Sequence, residues 1–199
     1  MLENENTEHS SLCSFYSFEN SIKTKNKIYS CEKRISRKTN IIASLIKDIC
    51  EEGKTNVKEK ICLIKPFISK KIPSISINDY IERLLKYGHV SEEIFILVLI
   101  YIDRLYRNHK INLNYYNIHK LILASFIVTI KFHEDECYSL NYYAKLGGIS
   151  KKEIIKLEYD FLNLLDFRLY ISEELYLKYN NYLLNLEKSE DDDDSDFSD

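Results

Sequence analysis

His133-Glu134-Asp135-Glu136-Cys137 sets five side chains of metal-binding type in a row. Consecutive residues on a helix point in different directions. The run also lacks the H-E-x-x-H spacing that places two ligands on one face. Cys13, Cys31, Cys50, Cys62 and Cys137 are odd in number, widely spaced and without a C-x-x-C pair. They read as reduced thiols of a reducing compartment, not as a disulfide frame or a zinc site. The only paired glycines, Gly147-Gly148, close a helix and do not form a phosphate loop. No Ser/His/Asp or Cys/His set suggests itself. The expectation is a protein with no metal, no cofactor and no catalytic chemistry of its own.

The informative charges are those that interrupt apolar patterns. Glu158 falls within a stripe made by Ile154, Leu157, Phe161, Leu162 and Leu165, and its neighbours three and four residues away are Ile154, Ile155, Phe161 and Leu162. Its own helix offers no cation. A carboxylate buried without a partner is costly, so Glu158 either reaches water at the stripe's edge or meets a charge from another element. Lys131 follows an apolar decade and either folds back on Glu134 or Asp135 or points elsewhere. Asp103 ends another apolar run and is spaced to pair with Arg107, as Arg83 is with Asp79. Exposed pairs of that kind contribute little.

Helices must position these residues. With four Gly and two Pro in 199 residues and 45% hydrophobic content, the chain has a core's worth of apolar side chains and few punctuators of loop-rich or all-β folds. Spacing predicts a first helix over 40–51, capped by Thr39 or Asn40 and closed by Gly53. Pro73 marks a break. Ser76 and Asp79 then match a capping box before the stripe Ile77, Ile81, Leu84 and Leu85. The next helix opens at Ser91 and runs without a polar residue from Ile94 to Ile102. Another, from about Tyr115 to Phe132, has only Ser125 and Thr129 between Leu121 and Ile130. Helices apolar on every face must be surrounded by others, so a bundle around a central element follows. A short helix from about Ser139 ends at Gly147-Gly148, Ser150 and Glu153 box the start of a long one to about Leu165, and an amphipathic piece lies near 173–186. The fold class is all-α: five core helices with one flanking helix at each end.

Residues 1–38 carry a basic stretch from Lys23 to Lys38, and residues 187–199 are acidic, with Asp191 to Asp194 in succession. Charge blocks of this kind are usually solvated, so a disordered arm is expected at each end of a domain spanning 39–186. Nuclear import through the basic stretch, or phosphorylation of Ser189 ahead of Asp192, are the alternatives. A net charge of −3 argues against nucleic acid as a partner of the whole chain. No apolar run approaches the ~18 residues that span a bilayer, and no secretory core is evident, so an intracellular soluble protein without a membrane partner is expected.

Four segments in order, YIDR (101–104), IKFHED (130–135), NYYAKLGGIS (141–150) and LEYDFLNLLDFRL (157–169), resemble the cyclin box, and more closely that of P/U-type, phosphate-pathway cyclins. The stretch from Phe67 to Tyr87 is similar to that subfamily's first box helix and its lead-in, so the likeness covers 67–172, with a box core at about 73–169. The resemblance implies a five-helix cyclin box and a regulatory subunit that binds and activates a cyclin-dependent Ser/Thr protein kinase as a 1:1 heterodimer. It also implies roles. The lysine of the third box helix and the glutamate of the fifth, which grip the kinase αC helix in cyclins, are Lys131 and Glu158 here. Leu162, Phe167 and Leu169 match apolar positions that pack on the same kinase element. Arg83 and Asp103 match a buried structural ion pair between the first two box helices. Glu82, Lys86 and His89 stand at key apolar positions of the substrate-recruitment patch of cell-cycle cyclins, a departure that puts docking there in doubt. Two other functions stay open: a transcription-factor-like module of the same fold, and a helical adaptor that binds without activating.

Overall fold

Serine side chains start four of the helices. The computed structural model describes residues 37–53 and 65–193, with side chains to 188. Ser76, Ser139 and Ser150 sit in extended backbone and accept hydrogen bonds from the amides of Asp79 (3.0 Å), Tyr142 (3.4 Å) and Glu153 (3.2 Å). Ser172 does the same for Leu175 at 3.2 Å. Each bond satisfies an amide that the helix cannot, and a cap of this type is worth about 1 kcal/mol.

Seven α-helices and no strand occur among the described residues: α1 (Arg37–Glu52), α2 (Ile77–Gly88), α3 (Glu93–His109), α4 (Ile118–His133), α5 (Leu140–Gly147), α6 (Lys151–Leu164) and α7 (Glu173–Asp193). A 3₁₀ turn, Lys65–Phe67, precedes α2. The predicted all-α architecture, five core helices with one flanking at each end, is the one observed.

Helix α4 is the axis. Every residue from Leu121 to Ile130 is buried, because α3 and α6 cover it from two sides. Its two polar residues are satisfied internally: Ser125 Oγ donates to the Val98 carbonyl of α3 at 3.2 Å, and Thr129 Oγ1 to the Ser125 carbonyl at 2.8 Å. Phe126 stacks on Phe95 (5.5 Å) and meets Tyr143 edge-on (6.2 Å), tying α3 and α5 to the axis. Gly88 ends α2 directly over that ring; a β-carbon there would lie 2.6 Å from Phe126 Cζ. The flanking helices α1 and α7 pack on one another, and α7 also packs on α3.

Three boundaries differ from expectation. Helix α1 is already formed at Arg37, the first described residue, ahead of the proposed caps and of the boundary at 39, with Thr39 inside it and buried. Lys38 there donates to Asn180 Oδ1 of α7 at 3.1 Å, a tertiary contact that spacing cannot show. Helix α4 begins at Ile118, not Tyr115, because asparagines build a turn first. Asn117 Oδ1 accepts from the Asn114 amide, and Asn114 Oδ1 from the Tyr116 amide, both at 3.0 Å. Such side-chain bonds compete with the helical ladder. Helix α7 continues past 186 to Asp193, into the acidic segment, since neither Gly nor Pro interrupts it. The basic stretch up to residue 36 and the last residues, 194–199, lie outside the described residues.

Candidate functional site

Lys131 lies in the last turn of α4 and Glu158 midway along α6, and the packing of these helices brings them together: Lys131 Nζ donates to Glu158 Oε1 at 2.5 Å. Neither Glu134 nor Asp135 takes the lysine. The side chains are 34% and 15% exposed, so the pair is at the surface with its carboxylate mostly covered. The two charges are in mutual contact and do not stand apart on either side of an apolar centre. The core stripe of α6 is Ile154, Leu157, Phe161 and Leu164, and Glu158 sits at its edge.

The apolar candidates lie on the same helix and the turn after it. Leu162, one helical turn beyond Glu158, is half-buried. Phe167 is 60% exposed and Leu169 half-buried. The spacing of Ile155, Tyr159 and Leu162 places them on one face of α6 with Glu158, and Ile155 and Tyr159 are exposed. Phe132, next to Lys131, and Tyr170 are exposed as well. Large hydrophobics are thus left exposed on the two helices that carry the ion pair and on the turn after α6. Tyr159, Phe132 and Tyr170 were not among the sequence candidates; the i, i+4, i+7 spacing from Ile155 was the signal for Tyr159.

The turn carrying Phe167 and Leu169 is held from α3. Tyr101 Oη donates to the Leu169 carbonyl at 2.6 Å. Having spent its one proton, that oxygen accepts from His133 Nε2 at 3.1 Å, which fixes the tautomer of His133. Arg104 donates to the carbonyls of Arg168 and, at 3.2 Å, Tyr170; its guanidinium lies 5.6 Å from the centre of the Tyr101 ring. His109 Nε2 donates to the Leu164 carbonyl at 2.7 Å. Burial pushes the Tyr101 hydroxyl up to about 12, and burial lowers His133, disfavouring its charged form. His133 therefore serves in this chain of hydrogen bonds. Among the described residues no group of three or more His, Cys, Asp or Glu is placed to hold a metal.

Arg83 and Asp103 do not form the predicted ion pair. Arg83 is exposed and donates to the Lys145 carbonyl of α5 at 3.4 Å. Asp103 is buried, its Oδ2 bridged to Arg107 on the same helix and accepting the Tyr179 hydroxyl of α7. Arg107 donates to Tyr179 Oη at 2.8 Å, closing a triangle. Burial, then the Asp103 carboxylate, holds the Tyr179 hydroxyl well above its ordinary range. The aspartate thus joins α3 to α7, not to α2. The reason is positional: Arg107, one turn away, and the buried Tyr179 already satisfy it.

The sequence profile of the Cyclin family matches residues 5–169. The chain is 40% identical over 126 residues to PHO85 cyclin-like protein psl1 of Schizosaccharomyces pombe, covering 62% of this chain and 51% of that one. It is 40% identical over 112 residues to Cyclin-U4-1 of Arabidopsis thaliana, covering 56% and 55%. To Cyclin-P4-1 of Oryza sativa it is 30% identical over 151 residues, covering 73% and 71%. The chain spans about half the length of the first two of these relatives. With a family match over most of its length and P- and U-type relatives on every side, this chain belongs to the cyclin family and is of the P/U type.

Proposed function

We propose that the chain is the regulatory subunit of a cyclin-dependent Ser/Thr protein kinase of the PHO85 kind, which it binds one to one and activates, contributing no catalytic group. The observation that carries this is the Lys131–Glu158 pair beside exposed apolar side chains, in a chain whose relative is named for PHO85. A protein kinase is active only when its strand lysine pairs with the αC glutamate. A partner that binds the αC-in state better than the αC-out state shifts the kinase toward activity by that difference alone. Ile155, Leu162, Phe167 and Leu169 would supply the apolar contact, within an interface of about 1,600 Å². Lys131 and Glu158, already joined, would present a preset donor and acceptor to the polar groups of αC.

The test is Glu158→Ala in the full chain, read by affinity for PHO85 of Saccharomyces cerevisiae and by the phosphorylation it stimulates. Removing one member of a charge pair desolvated at an interface costs about 2–5 kcal/mol, so binding should weaken well over tenfold. The isolated variant should keep its thermal transition, since a partly exposed pair contributes only about 0–1 kcal/mol to folding. Unfolding of the variant would make Glu158 structural and sink the assignment. Binding without stimulated phosphorylation would make the chain an adaptor.

A further inference from the structure

Helices α5 and α6 end with the same pair of reversed hydrogen bonds. In α5 these run from the Ile149 amide to the Ala144 carbonyl (3.0 Å) and from Gly148 to Lys145 (3.2 Å). In α6 they run from Phe167 to Leu162 and from Asp166 to Asn163, both 3.0 Å. The motif needs a left-handed residue after the helix, usually glycine. Helix α5 supplies Gly148, with φ of 71°. Helix α6 supplies Asp166, φ 50°, followed by a second left-handed residue, Phe167, φ 55°. A β-carbon is strained in this region, and a bulky aromatic tolerates it less well than Asp. Two such residues in succession persist only where their surroundings over-determine them.

The surroundings are on α3. Arg104 and Tyr101 together bind three carbonyls, those of Arg168, Leu169 and Tyr170, directly after the strained pair. His109 binds the Leu164 carbonyl before it, and His133 braces the Tyr101 hydroxyl. The turn is thus gripped on both sides of Phe167, while the phenylalanine itself is left 60% exposed. A core residue would be held the other way, by burial of its own side chain.

We infer that Tyr101 and Arg104 are positioning residues, which lock the 166–170 turn in its strained form so that the kinase meets Phe167 as a preformed apolar hook. The inference rests on the kinase-binding reading above. Prior ordering of the turn spares the complex the entropy of fixing it, so loss of the lock weakens binding without removing any contact atom.

Tyr101→Phe, Arg104→Lys and Arg104→Ala in the full chain test this. Lysine keeps the charge but lacks the planar fork that reaches two carbonyls. In the free chain, amide exchange at Phe167 and Leu169 should quicken about tenfold or more in each variant, while amides of α4 keep their protection. Affinity for PHO85 should fall about five- to tenfold. In a Phe167→Ala background the same substitutions should lose most of their effect, keeping only what reaches Leu169, whereas in a Glu158→Ala background they should retain their full effect. Loss that persists undiminished after Phe167→Ala, unchanged affinity in variants whose turn exchanges faster, or unchanged exchange in all three, overturns the inference. Should Arg104→Ala not fold, the milder Tyr101→Phe decides. Failure of the unsubstituted chain to bind PHO85 overturns the proposed function and this inference with it. Normal binding by the unsubstituted chain and by all three variants overturns this inference alone.

Discussion

His119 shows what a buried titratable side chain does when chemistry is not its task. Its Nε2 donates to the Ile75 carbonyl at 3.0 Å and its ring lies 5.1 Å from that of Tyr80, fastening the lead-in of α2 to the start of α4. Burial lowers its pKa from the ordinary 6.5, the Ile75 carbonyl opposing only in part, and burial lowers His133 likewise. A base whose pKa is lower in the native state binds fewer protons there than in the unfolded chain. Stability is therefore full above about 6.5 and is lost as pH falls through the native value. His119→Gln keeps a donor in the Nε2 position and cannot titrate. Its denaturant midpoint should fall less steeply between pH 7 and 5 than that of the unsubstituted chain. The difference is bounded by one proton, about 1.4 kcal/mol per pH unit. Parallel pH profiles would show that His119 does not contribute. Of the candidate site residues, Glu158 was legible as an anomaly in an apolar stripe, and its partner was not: across a separation of 27 positions no periodicity joins it to Lys131.

At the scale of elements, the attachment of α7 depends on a few polar contacts with α3 and α1 as well as on packing. Tyr179, buried, donates to Asp103 and accepts from Arg107, and Lys38 reaches Asn180 from α1. Tyr179→Phe leaves the ring in place and removes a hydroxyl bonded to two charged groups. Hydrogen bonds to charged groups are worth about 1.5–3 kcal/mol, and urea unfolding should report a loss of that size. A loss below about 0.5 kcal/mol would mean that Asp103 and Arg107 satisfy each other without it. Helix existence and type were readable from capping serines and apolar periodicity. Where helices start was readable only when the cap was local, as at Ser76 and Ser150. Helix α1 already includes Arg37 and Lys38, the latter bonded to α7, and α4 is delayed by asparagine turns that look, in sequence, like the helix itself. The second half of the Ser150 box went elsewhere too. Glu153 pairs with Lys120 of α4 at 2.8 Å, clamping α6 to the axis.

For the described molecule as a whole, one helix buried on every face from Leu121 to Ile130 binds the others into a single core. Helix α4 cannot lose α3 or α6 without exposing its apolar decade to water, about 25 cal/mol for each Å² exposed. Calorimetry should therefore find one transition with calorimetric and van't Hoff enthalpies nearly equal. Two resolved transitions would mean that the flanking helices α1 and α7 melt apart from the box. The sequence by itself determined the all-helical class, the central place of the 118–133 segment and the family likeness. These follow from local caps, from apolar patterns that repeat every three to four residues, and from motifs read in order. The tertiary structure alone decided which charges meet. It joined Lys131 to Glu158, kept Asp103 apart from Arg83, added Tyr179 to the Arg107 that local spacing already offered Asp103, and bent 166–170 into a strained turn held from α3. The physical reason is range: capping and periodicity act within a turn or two of helix, whereas a charge or a carbonyl finds its partner across whatever surface packing has brought within 3 Å.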